Sequence, residues 1–187
     1  MNTPKSGRPR RYDLRPDADI ANPDVAQVLA GLDELSARLF DLIEDLPQPA
    51  LDFVPEGGTN SIAMLVIHMA WAEAHWVTLA TQTPIPDDLR PTLRAGKQGP
   101  AGELLPFSAS AAELLAICED VRERITRPTL APLDDVGAMI LDPERTMTVR
   151  GVLLHVLWHW TYHSGQVGLL RRLAGARYQW TFDQGQP

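Results

Sequence analysis

The fold is decided by residues 148–175, TVRGVLLHVLWHWTYHSGQVGLLRRLAG, which hold three of the chain's five histidines, at 155, 159 and 163. Each is four residues from the next, so on a helix the three stand almost one above the other. With Val152 set at zero and about 100° advanced per residue, Val149, Val152, Val156, Trp160, Val167 and Leu170 fall within about 80° of one another and define a core stripe. His163 falls inside that stripe at about 20°, His159 on its margin at about −20°, and His155 further out near −60°. The angles therefore select His159 and His163 as the pair that faces the interior. Thr148 stands at the N-cap, Arg171 and Arg172 lie near the negative end of the helix dipole, and Gly175 follows as the stop.

The other two histidines, His68 and His75, share a side of a second segment, about Ile62 to Thr81. That segment is apolar nearly all round, the signature of a helix enclosed by others. It approaches membrane-spanning length, but His68, Glu73 and His75 would be costly in lipid, so a buried bundle helix and no membrane partner are expected. Asn60 or Ser61 is placed to cap it. A first helix is predicted from about Pro23 to Leu46, capped by Asn22 with Pro23 at its first position, with Val25, Val28, Leu29, Leu32, Leu35, Leu39, Leu42, Ile43 and Leu46 as one stripe. Ser110-Ala111-Ala112-Glu113 has the form of a capping box opening a third helix to about Thr126, closed by Pro128. Cys118 lies in its stripe and reads as a buried, inert thiol.

Between these segments lie long connections. Residues 82–107 form a Pro- and Gly-containing crossover, a length that is often functional, in which a short helix can hide. Residues 127–147 are read as a second connection without a strand. The sum is an all-α four-helix bundle with long crossovers, one domain over residues 21–187, preceded by a basic N-terminal arm over residues 1–20 that is expected to be disordered. Tyr178, Trp180 and Phe182 suggest that the C-terminal tail folds back onto the body.

Composition narrows the function. The net charge of −7 speaks against general nucleic-acid binding. It is uneven: residues 1–16 hold five cations against Asp13, a balance of +4 that leaves −11 for the rest. Arg10-Arg11 is followed by no apolar run and is no export signal. A single cysteine excludes an internal disulfide framework and fits a reducing, cytoplasmic setting. There is no GxxxxGK[ST] phosphate loop, GxSxG elbow, HExxH or Cys-x-x-Cys. Two interior imidazoles side by side must stay neutral and find partners, or bind something. A metal shared with His68 or His75 answers both needs. Glu73 is read as a bundle-surface or interhelical carboxylate in preference to an orienter of a ligand.

Three stretches carry a resemblance. They are Asn60-Ser61-Ile62-Ala63-Met64-Leu65 leading to His68 and Glu73; Thr148-Val149-Arg150-Gly151-Val152-Leu153-Leu154; and His159-Trp160-Thr161-Tyr162-His163-Ser164-Gly165-Gln166, an H-x-x-x-H-x-G-Q ending. Together the chain resembles the DinB/YfiT-like family of bacterial metal-binding four-helix bundles over roughly residues 22–175. The resemblance implies a divalent metal on His68, His159 and His163, with His75 and His155 structural or supporting. It also implies a frequent homodimer and, in some relatives, enzymes dependent on low-molecular-weight thiols such as bacillithiol or mycothiol, among them S-transferases and an isomerase. Three neutral imidazoles leave an ion's double charge intact and a coordination position open, as in catalytic zinc sites. Such an ion lowers the pKa of bound water to about 7 and deprotonates a coordinated thiol. Zinc suits the set best, with nickel or iron as alternatives. The expected function is a thiol-dependent S-transferase or isomerase acting on a small electrophilic molecule. A metal-dependent hydrolase and a non-enzymatic metal-binding or sensing bundle are the alternatives.

Overall fold

The computed structural model describes residues 3–10, 14–142 and 145–181. In chain order they form β1 (Lys5–Ser6), α1 (Pro23–Ile43), α2 (Gln48–Leu51), α3 (Ile62–Thr81), α4 (Arg90–Arg94), α5 (Ala111–Val121), a π-helical turn (Arg122–Thr126), α6 (Arg127–Leu130), β2 (Met139–Asp142), β3 (Arg145–Thr148), α7 (Val149–Leu173) and β4 (Tyr178–Gln179). The four long helices α1, α3, α5 and α7 make the bundle. α7 packs against both α1 and α3, and α5 against α3 and, more lightly, α1. Thus α1 and α3, though consecutive, face each other across the bundle, as do α5 and α7. That diagonal order is why the α1–α3 and α5–α7 connections are long.

The helix starts follow the capping chemistry of the sequence. The Asn22 side chain accepts from the N–H groups of Asp24 and Val25. Ser61 accepts from Met64, Thr148 from Gly151, and Ser110 and Glu113 complete a capping box. Gly175, at φ 82°, ends α7 where only a left-handed residue fits. The stripe Val149, Val152, Val156, Trp160, Val167 and Leu170 is buried throughout. α3 is long and apolar enough to cross a membrane, yet 78% of its apolar window is buried inside the bundle. It is the central core helix.

The structure departs from the sequence reading in three places. First, the connection after the third helix holds a hairpin: β2 and β3 pair antiparallel, Ile140 opposite Met147. Its β-branched and apolar residues flank an Asp-Pro-Glu-Arg turn sequence, a signal that short strands leave weak. Residues 143 and 144 lie outside the described residues. Second, Pro128 does not close the third helix. The chain passes through a π turn, with the Arg127 N–H bonded to the Arg122 carbonyl, and continues to Leu130. The wider turn gives the proline ring room that a regular α-helix would deny it. Third, the described part of the basic arm, residues 3–10, lies along α1. β1 pairs parallel with β4, Lys5 opposite Tyr178. Lys5 reaches the Asp41 carbonyl and Glu44, and Arg8 makes two bonds to the Glu44 carboxylate. Lys5 and Arg8 are thus taken up by this chain's own acids, and Arg10 donates to the Ala37 carbonyl. Arg11 and Phe182 lie outside the described residues.

Glu73 is buried on α3 and is an interhelical carboxylate. It accepts two bonds from the Arg122 guanidinium, at 2.8 and 3.0 Å, and one from the Thr126 hydroxyl at 2.6 Å. Arg122 also reaches Asp33 on α1 at 3.0 Å and lies over the Trp160 ring of α7. This one guanidinium ties all four helices together. Arg122→Met leaves Glu73 buried and unpaired, and should lower stability to urea by about 3–5 kcal/mol. Glu73→Leu combined with Arg122→Met should recover most of that loss. A single mutant within 1 kcal/mol of wild type, roughly the level of an exposed pair, would contradict this assignment.

Candidate metal centre

His68 lies on α3 at the seam with α7, where His159 and His163 sit one turn apart. One ring nitrogen from each of the three falls within 4.8 Å of the other two. The ring centroids are 4.9 Å apart for His68–His159, 5.1 Å for His68–His163 and 4.4 Å for His159–His163. His68 is buried and the two α7 histidines are half-buried. The sequence-chosen trio therefore converges.

Two hydrogen bonds set the tautomers. His68 Nδ1 is 2.8 Å from the Gly96 carbonyl oxygen. His163 Nδ1 is 2.6 Å from Gln166 Oε1. Both oxygens only accept, so both Nδ1 atoms carry the proton and both Nε2 lone pairs are bare. Bracing of this kind is how outer groups orient metal-binding imidazoles. His159 Nε2 stands 3.2 Å from His68 Nε2, and its Nδ1 is buried without a partner. Two nitrogens bound at 2.0–2.1 Å to one tetrahedral ion stand about 3.3 Å apart. The residues thus fit a divalent ion: neutral donors, lone pairs facing inward, and a spacing close to that of a shared ligand shell.

Burial lowers the pKa of all three. For His159 it is joined by its neighbours His163, His68 and His155, and the pKa falls to about 3. His68 is lowered by burial against the opposing bond to Gly96, and His163 by burial against the bond to Gln166. All three are neutral at pH 7, the form that binds metal.

The remaining histidines form a wall of rings. His68 stacks near Trp71, Trp71 on His75, His75 against Trp76, Trp76 against His155, and His155 near His159. His75 and His155 support the trio by packing and bring no ligand nitrogen into it. Gly96 and Gln166 escaped sequence reasoning as functional residues. Gln166 had a signal, since three residues after His163 it shares that face. Gly96 had none. It sits so close to α3 that a Cβ there would lie 2.2 Å from the Ile67 carbonyl oxygen, which only a glycine avoids.

These features define a four-helix bundle with a three-histidine cluster in the seam between two helices. The chain belongs to the DinB superfamily, whose family model matches residues 31–167. Among solved structures it is similar to YfiT from Bacillus subtilis, described as a probable metal-dependent hydrolase with an unusual four-helix bundle topology. The TM-score is 0.59 at 18% identity, over 90% of this chain and 95% of that one. At that identity the likeness shows the fold. No curated protein sequence matches the chain.

In metal-free protein, native His159 stays neutral down to about pH 3, whereas the unfolded chain takes up the proton below its ordinary value near 6.5. Its contribution to stability is therefore complete above pH 6.5 and is lost as pH falls towards 3. His159→Phe removes this dependence. Compared by urea unfolding in EDTA, the variant should gain on wild type steadily from pH 7 to pH 4. A difference independent of pH would mean that the imidazole is not held neutral.

Proposed function

We propose that the protein is a divalent-metal-dependent enzyme of the DinB type, with His68, His159 and His163 as ligands and a small electrophilic molecule as substrate. The observation that carries this reading is the meeting of three neutral imidazoles, two of them braced at Nδ1 so that Nε2 is bare. A divalent ion held there supplies a Lewis acid that activates a coordinated thiol or water near neutral pH. The chain's own part is to hold the donors rigid, keep them unprotonated and exclude water behind His68. The chain's one thiol is not placed to compete with a small-molecule nucleophile at the site. Cys118 is buried on α5, and burial pushes its thiol pKa up to about 12.

A low-molecular-weight thiol as nucleophile, with S-transfer or isomerisation as outcome, is the first form of the proposal. Hydrolysis, with water in the thiol's place, is the second, and the description of YfiT as a probable metal-dependent hydrolase is compatible with it. Zinc is the expected ion, with nickel or iron as alternatives.

Protein purified without chelator or affinity histidines should carry close to one equivalent of metal by mass spectrometry. His163→Ala should lose at least nine-tenths of it and His155→Ala should keep it. Wild type no richer in metal than His163→Ala ends the proposal. Turnover that depends on an added thiol supports the transferase, and turnover indifferent to every thiol supports the hydrolase.

We further propose a homodimer formed on α7. Leu154, Trp158, Tyr162, Leu169 and Leu173 are each 52–58% exposed and lie on one flank of that helix, away from its core stripe. A contiguous apolar stripe of this kind marks an association surface. Light scattering should give twice the chain mass of 20.7 kDa for wild type, and the single mass for Leu154→Glu/Leu169→Glu. A wild-type monomer at 100 µM, a concentration of about 10⁻⁴ M, would remove the dimer.

A further inference from the structure

The connection that braces His68 also builds a pocket. Trp71, Ile85, Arg90, Pro91, Leu93, Arg94 and Lys97 line a cavity of about 610 Å³. Its floor is apolar and every ionisable side chain in its lining is a cation, on a chain whose net charge is −7. Arg90 is engaged by Asp87 and the Ile85 carbonyl. Arg94 and Lys97 are exposed and make no ion pair among the described residues. Several other surface cations are taken up by acids: Lys5 and Arg8 by Glu44, Arg124 by Asp88, Arg150 by Asp24. Arg94 and Lys97 instead stand over an apolar floor with their charge uncompensated by an ion pair among the described residues.

Trp71 joins the pocket to the metal centre. Its indole stacks with His68 at 5.8 Å and with His75 at 5.0 Å, and it lines the pocket. Lys97 directly follows Gly96, whose carbonyl holds the His68 ring.

We propose that this pocket binds the carboxylate of a small organic anion with an apolar body, Arg94 and Lys97 taking the carboxylate while Ile85, Pro91 and Leu93 take the body. Resting on the metal-enzyme reading, this makes the substrate, or the thiol that attacks it, a carboxylate. The binding site itself needs no metal. Charge-assisted bonds to a carboxylate supply the affinity, and the apolar floor supplies selection against small inorganic anions.

The test is calorimetric titration with benzoate and with its uncharged amide, benzamide. It is run on the metal-loaded wild type, on metal-free His163→Ala and on Arg94→Gln/Lys97→Gln, with metal content measured on each. Benzoate should bind wild type and His163→Ala within threefold of each other. It should bind Arg94→Gln/Lys97→Gln at least tenfold more weakly, with metal content unchanged, and benzamide should bind all three at least tenfold more weakly than benzoate binds wild type. Benzoate affinity unchanged in Arg94→Gln/Lys97→Gln, equal affinity for benzamide, or no benzoate binding to wild type at 20 mM, a concentration at which even the weak millimolar range registers, overturns the pocket assignment. Benzoate binding that vanishes in His163→Ala alone also overturns it, because the carboxylate is then a metal ligand. Failure of the metal reading shows separately, as wild type without metal that still binds benzoate.

Discussion

The structure depends on α3 and α7 lying side by side so that His68 meets His159 with their Nε2 atoms 3.2 Å apart. His68 Nε2 is bare and His159 Nδ1 has no partner, so in the metal-free protein His159 carries its proton on Nε2 and donates it to His68. The protein holds His68 from behind with a backbone carbonyl and His163 with an amide oxygen, and buries the group so that protonation is unfavourable. The cluster thus buries three neutral imidazoles with one ring nitrogen left unpartnered, a cost that the rest of the bundle has to offset.

The offset comes from the other side of the same helix. His68 and Glu73 are five residues apart on α3, which is about 140° around the axis. One faces α7 and the other faces Arg122, which in turn reaches α1 and lies against Trp160 of α7. A fully satisfied buried ion pair fixes the angular setting of α3, and that setting aims His68. The π turn takes part, because both Arg122 and Thr126, which bond Glu73, belong to it. A local departure from α geometry is kept where it places two donors on one carboxylate.

Much of this was legible in the sequence where the signal was periodic or chemical. The four caps, the stripe on α7 and the interior placement of His159 and His163 follow from spacing alone, because helical geometry leaves little freedom there. The family likeness added His68 over His75, a choice that spacing could not make. What was hidden depended on contacts distant in sequence. Gly96 acts through its carbonyl, which no residue type announces. The Glu73–Arg122 pair joins positions 49 apart. The β2–β3 hairpin is too short for alternation to stand out, and Pro128 misled because a π turn absorbed it. The basic arm had the composition of a solvated tail, yet acids on α1 give it somewhere to lie.

That arm has one more consequence. β1 can form only against β4, which lies more than 170 residues later in the chain. During synthesis the first strand leaves the ribosome long before its mate exists, so the strand pairing must wait until residues 178–179 have been made, although Lys5 and Arg8 can meet Asp41 and Glu44 earlier. Closure of this seam is therefore a late event of maturation. It draws together Asp41, Arg8 and Tyr178.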